Sequence, residues 1–198
     1  FSSGFEFTGT IGKAVGVWSA GGALIIGRRD GGSGGTQNAA FYVAGYGSPA
    51  AKSDTEEYNG SAWSVGGSLA NAVYSVTAVG SLTAALVAGG TQPTSSYQYD
   101  GTAWTTLGAA LNASHRDHAM AGDVNAALAA GGHPSNANTE EYNGSTWAAV
   151  NAMITARSYF KGAGTQNAAL VATGYPPSTL ATTEEYDGTT WATGGDVN

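Results

Sequence analysis

Hydrophobic residues in this chain fall into short runs, with no helical stripe. LTAALVAGG at 82–90 and VNAALAAGG at 124–132 hold continuous apolar runs closed by glycine. That pattern predicts a strand covered on both sides. After a variable loop comes a polar–aromatic string: EEYNGSAW at 56–63, YQYDGTAW at 97–104, EEYNGSTW at 140–147 and EEYDGTTW at 184–191. The Asn-Gly and Asp-Gly pairs within these strings predict two-residue hairpin turns, which need positive φ. In that register Tyr58 faces Ser61 and Glu56 faces Trp63. Glu56, Tyr58, Ser61 and Trp63 then share one sheet face, with Glu57 and Ala62 on the other. Each unit so reads as four short strands: the apolar run, the Glu-Glu-Tyr strand, the Trp strand, and one around 73–79, 116–121 or 157–163.

The units repeat. Trp18, Trp63, Trp104, Trp147 and Trp191 are separated by 45, 41, 43 and 44 residues. TQNAA at 36–40 returns at 165–169, and Arg28 returns as Arg157, both at the 129-residue offset that separates Trp18 from Trp147. A period of 40–50 residues marks a propeller or a solenoid array. Trp63, Trp104 and Trp147 are therefore expected to be buried at equivalent positions. FEFTG at 5–9 reads as a displaced remnant of the string that should precede Trp18.

An apolar strand ending in Gly-Gly, then Tyr, then Trp five residues later, then Arg, resembles the kelch repeat, and the resemblance covers nearly the whole chain. It implies an all-β fold, a kelch-like β-propeller of four-stranded antiparallel blades, with residues 1–198 as a single domain or segment. About four to five blades fit in this length, complete or as part of a larger propeller. In their shortness, their Ala and Thr content and their mutual likeness, the repeats are similar to kelch-like arrays of phage, viral and bacterial surface proteins. The resemblance implies a non-enzymatic binding or structural module on a virion or outside the cell, such as a tail fibre or surface decoration. The alternatives for this chain are a secreted carbohydrate-active enzyme on a propeller, sialidase- or galactose-oxidase-like, or an intracellular kelch adaptor.

Composition narrows the partners. The net charge is −7, with seven Lys and Arg in total, so no basic footprint for nucleic acid or anionic lipid can form. No run of about 18 apolar residues predicts membrane insertion. Cysteine is absent, which excludes disulfides and thiolate metal sites. It also excludes galactose-oxidase-like chemistry, which needs a cysteine crosslinked to tyrosine. The first residue is Phe1 rather than Met, which reads as a processed or excised chain.

The candidate chemistry is sparse. Glu56/Glu57, Glu140/Glu141 and Glu184/Glu185 are paired carboxylates, but neighbours on a strand point to opposite faces, so no pair converges on one site. They are expected at blade edges, partly paired with Arg28, Arg116 or Arg157. His115 and His118 occur in one repeat only, with no third ligand nearby, so no metal site is assigned. GGSGG at 31–35 lacks the lysine and context of a phosphate loop. YDGTTW and YNGSTW resemble the sialidase Asp-box with the acidic residue one place too near Trp, and four Arg are too few for that chemistry. No catalytic residue and no cofactor are expected.

Recognition is expected in the loops after the glycine-ended strands. All five prolines lie there: Pro49, Pro93, Pro134, Pro176 and Pro177. These loops vary while their flanking strands hardly change, and variable loops on a rigid frame commonly carry binding. Tyr46, Gln92, His133 and Tyr175 are the candidate ligand- or partner-binding residues, suited to stacking on sugars or protein. The expected partners are a protein within a larger assembly, a cell-surface glycan, or both, and the expected location is extracellular or the virion surface.

Overall fold

The computed structural model describes residues 5–8, 17–175 and 180–197, with side chains from Ala20 onward. Pro176, Pro177, Gly9 and the Trp18 side chain lie outside the described set. Every regular element among the described residues is a β-strand. β1 (Phe5–Thr8) pairs antiparallel with β2 (Val17–Ala20), Phe7 opposite Trp18. Four larger antiparallel sheets follow. The first contains β3 (Gly32–Thr36), β4 (Ala39–Val43), a short β5 (Tyr46–Gly47), β6 (Ala50–Tyr58) and β7 (Trp63–Val73). The second is β8 (Thr77–Ser81), β9 (Ala84–Ala88), β10 (Ser96–Tyr99) and β11 (Trp104–Thr106). The third is β12 (Ala119–Gly122), β13 (Ala127–Gly132), β14 (Asn136–Tyr142) and β15 (Trp147–Val150). The fourth is β16 (Lys161–Thr165), β17 (Ala168–Ala172), β18 (Thr183–Tyr186) and β19 (Trp191–Thr193).

Two sequence expectations are corrected here. The strand near 73–79, 116–121 and 157–163 opens the following sheet instead of closing its own: β8, β12 and β16 pair with the apolar runs downstream. The string also folds in a different register. Tyr58 faces Trp63, Glu57 faces Ser64 and Glu56 faces Val65, around a four-residue turn. The cause is the Asn side chain. Its Oδ1 accepts the backbone N–H of Ser61 and Ala62, both at 3.0 Å, and Asn59 N–H closes on Ala62 O. Asp100, Asn143 and Asp187 build the same side-chain-capped turn. Tyr and Trp thus pair directly across the hairpin, with ring centroids 5.1 Å apart for Tyr58–Trp63 and 4.7 Å for Tyr99–Trp104.

The opening strands of successive sheets lie side by side, β3 by β8, β8 by β12 and β12 by β16. Apolar side chains fill each space between sheets. Phe41 and Val43 meet Ala85, Val87, Tyr97 and Tyr99. Leu86 and Ala88 meet Met120, Ala129, Tyr142 and Trp147. Leu128 and Ala130 meet Ala169, Val171, Tyr186 and Trp191. Hydrogen bonds tie the same interfaces. Trp104, Trp147 and Trp191 donate their indole N–H to Thr55 Oγ1, Ser96 Oγ and Thr139 Oγ1 of the preceding sheet, at 2.8, 2.9 and 3.1 Å. Tyr99 and Tyr186 donate their hydroxyls back to Glu57 and Glu141.

The tryptophans are equivalent in register but not in burial. Trp147 and Trp191 are buried, whereas Trp63 and Trp104 are half-buried. Trp63 donates to Gly22 O instead of to a hydroxyl. Trp147→Ala is expected to cost roughly 3–5 kcal/mol in urea unfolding, and Trp63→Ala distinctly less. Equal losses at the two positions would contradict this packing.

Candidate functional site

The paired glutamates serve two separate jobs, and the first of each pair is buried rather than at an edge. The Glu56 carboxylate accepts the backbone N–H of Ile25 and Ile26 and pairs with the Arg28 guanidinium. Glu184 does the same with Ile154, Thr155 and Arg157. Each arginine also donates to two backbone oxygens, Ala44 and Asp54 for Arg28, Thr173 and Thr182 for Arg157. An unpaired buried carboxylate would cost several kcal/mol, so these donors are what make the burial possible.

The third sheet substitutes histidine. Glu140 accepts from Asn112 and Ala113 N–H, and His115 Nε2 lies 3.2 Å from its carboxylate while Nδ1 lies 2.7 Å from Gly131 O. Arg116, the expected partner, is displaced by one residue and lies beside Asp117 at 3.3 Å. Burial pushes the Glu140 carboxyl up, but the hydrogen bonds from His115, Asn112 and Ala113 outweigh it and hold it below its usual value. On the way into the second sheet both members change together: Val73, the last residue of β7, stands for the cation and Tyr97 of β10 for the glutamate, with the Tyr97 hydroxyl on Gln92 Oε1 at 3.2 Å.

His118 is fully buried, and neither ring nitrogen has a hydrogen-bond partner among the described residues. Burial drives its pKa well down, with the His115 and Lys161 charges adding to the shift. The two histidine rings are 5.4 Å apart. Among the described residues no group of three His, Asp or Glu side chains is placed to hold a metal ion.

The surface arrangement that concentrates binding chemistry lies where the sheets' entry segments converge. Asp30, Ser75, Asp117 and Tyr159, each two residues before its sheet's opening strand, all adopt positive φ (52–59°). Ser75 N–H donates to Asp30 O, Asp117 N–H to Ser75 O and Tyr159 N–H to Asp117 O, at 2.6, 3.1 and 2.8 Å. This relay links all four larger sheets. With Lys161 its members border a cavity of about 210 Å³.

Each relay residue follows a position that bonds the residue seventeen places downstream, just after the glycine-ended strand. The pairs are Arg29 with Tyr46, Tyr74 with Thr91, Arg116 with His133 and Ser158 with Tyr175. Tyr46, His133 and Tyr175 therefore come to matching places. Gln92 does not, because Thr91 takes that place and the Gln92 side chain accepts the Tyr97 and Ser95 hydroxyls.

Side chains at this end form a continuous strip. The Arg29 guanidinium lies 5.1 Å from the Tyr46 ring centre, Tyr46 meets Tyr74 edge-on at 5.7 Å, and Arg116 lies 5.6 Å from Tyr74. Further round, His133 lies 6.2 Å from Tyr159. Tyr159 and Tyr175 are more than half exposed. Arg29, Tyr74 and Tyr159 escaped the sequence reading, and Arg116 entered it only as a partner for glutamate. The constant seventeen-residue spacing to the glycine-flanking residues was the signal that marked them.

No protein-family model matches the chain. No significant match is found among curated proteins either.

The Val73/Tyr97 exchange makes a testable pair. Val73→Arg alone should destabilise the fold by about 3–5 kcal/mol, the cost of an uncompensated buried charge. Adding Tyr97→Glu should recover part of that loss, read as a positive coupling in a double-mutant cycle.

Acid titration provides a second check. Glu140 is held low as described, and Asp100 and Asp187 are held low by backbone N–H groups, chiefly those of Ala103 with Thr102 and of Thr190 with Thr189. A folded-state pKa below the unfolded one contributes stability at pH above the unfolded value and loses it as pH falls through the folded value. Stability should therefore decline as pH drops below about 4, the ordinary carboxylate region. The decline should be shallower in an Asp100→Asn/Asp187→Asn variant, and an unchanged acid limb would count against these turns.

Proposed function

We propose that this chain is a kelch-like β-propeller segment acting as a non-enzymatic binding and structural module, with its recognition surface at the relay end. The propeller reading is supported by four sheets of like strand order whose opening strands run side by side. Support also comes from a second cavity of about 210 Å³ bordered by Gly32, Thr77, Met120 and Gly162, one from each sheet. The observation that carries the binding reading is the Arg29–Tyr46–Tyr74–Arg116 strip. Two constant backbone positions, seventeen residues apart, supply different, partly exposed aromatic and guanidinium groups from sheet to sheet, while the frame beneath is repeated. Flat amphipathic rings backed by guanidinium groups suit an uncharged glycan or a protein surface. The protein's acidic balance disfavours nucleic acid. A place on a virion or outside a cell, within a larger assembly, completes the proposal and rests on the repeat's resemblance to kelch-like arrays.

The test uses the whole protein on a panel of neutral glycans and on intact candidate host surfaces. Tyr46→Ala combined with Tyr74→Ala should weaken binding roughly tenfold or more, the scale of a lost hot spot, with the melting temperature changed little. Undiminished binding by the double variant would place recognition elsewhere. Binding only to a protein component of the host surface would identify that class of partner.

A further inference from the structure

Between the sheets, one face is used three times and left open once. Phe41, Leu86, Leu128 and Leu170 stand at one register position, opposite Glu57, Gln98, Glu141 and Glu185. The first three are 0%, 0% and 2% exposed, covered by the next sheet, whereas Leu170 is 42% exposed. Ala163, Ala168 and Glu185 on the same face are also exposed, around a shallow hollow of about 400 Å³. Glu57 and Glu141 each accept a tyrosine hydroxyl from the sheet that covers them, and Glu185 has no such partner among the described residues.

We infer that the open face of the fourth sheet is a docking surface for a β-hairpin bearing the chemistry of this repeat's two inner strands. Continuity with the three internal interfaces specifies that hairpin. Its small and branched residues would cover Leu170 as Ala169 and Val171 cover Leu128. Its turn should carry glutamine. In the fourth sheet Gln166, in the turn between β16 and β17, donates its side-chain amide to Ala127 O and Tyr142 O of the third sheet, at 3.0 and 2.8 Å. The equivalent acceptors of the fourth sheet are the carbonyls of Ala169 and Tyr186.

The chain's first two strands point the same way. Phe7 opposite Trp18 repeats the Tyr58–Trp63 pairing of the two outer strands of a sheet. Where β6, β10, β14 and β18 pair on their other side with an apolar strand, β1 has no such partner among the described residues. An inner hairpin is therefore the element not yet matched, and an extended segment can add to such an edge through its backbone. This inference does not depend on what the Arg–Tyr strip binds.

The test titrates the intact protein with a synthetic peptide of sequence KGAGTQNAALVATG, the chain's own residues 161–174, and follows binding by calorimetry and hydrogen exchange. Saturable binding with added protection of β17 amides is expected. Leu170→Asp should weaken it at least tenfold without loss of the fold, checked by circular dichroism. Replacing glutamine with alanine in the peptide should weaken it several-fold. No binding, or equal binding to the Leu170→Asp variant, would overturn the inference. So would self-association through this face that Leu170→Asp abolishes and the peptide cannot displace, because the occupant would then be a second copy of the chain.

Discussion

A carboxylate taken out of water and given enough donors organises the passage from one sheet to the next. Glu56, Glu140 and Glu184 each lie on the third strand of a sheet, yet their hydrogen bonds reach two consecutive N–H groups in the segment that enters that sheet. The cationic or imidazole side chain two residues further on completes the shell. Isolated, such a charge would be heavily penalised. Surrounded in this way, it fixes the entry segment against the middle of the sheet and so sets where the opening strand begins. The tyrosine–tryptophan pairs and the relay at the converging end can then repeat at constant spacing.

The second sheet shows that the position, not the charge, is what the fold requires. Val73 and Tyr97 fill the same place with apolar and aromatic volume, and the one polar atom, the Tyr97 hydroxyl, finds Gln92. A cation without its carboxylate, or the reverse, would be the costly state. The two residues have changed as a unit, and the sheet around them keeps its strand order.

Much of the strand content was legible in the sequence, because glycine-closed apolar runs and Asn-Gly or Asp-Gly turns are local signals. Register was less so. An Asn or Asp Oδ1 that gathers two N–H groups lengthens the turn by two residues, and the same letters are compatible with either turn. The burial of Glu56 and Glu140 was hidden, since adjacent carboxylates read as solvated when their backbone donors lie 27–31 residues away. At the candidate site, the matching placement of Tyr46, His133 and Tyr175 was legible from their position after the glycines. Tyr74 and Arg116 were not, because they owe their position to a turn of the backbone at Ser75 and Asp117, residues with no glycine-like signature.

The contacts between sheets run in both directions. The later sheet brings the indole N–H of Trp104, Trp147 and Trp191, the hydroxyl of Tyr99 and Tyr186, and the relay N–H of Ser75, Asp117 and Tyr159. The earlier sheet answers with the backbone N–H of Gly45, Gly90 and Gly132, given to the carbonyls of Val73, His115 and Arg157 in the segment that enters the next sheet. A chain made from its N-terminus outward folds its leading portion first. Each finished sheet therefore waits with both acceptors and a glycine donor unmatched, and the arrival of one entry segment satisfies them together.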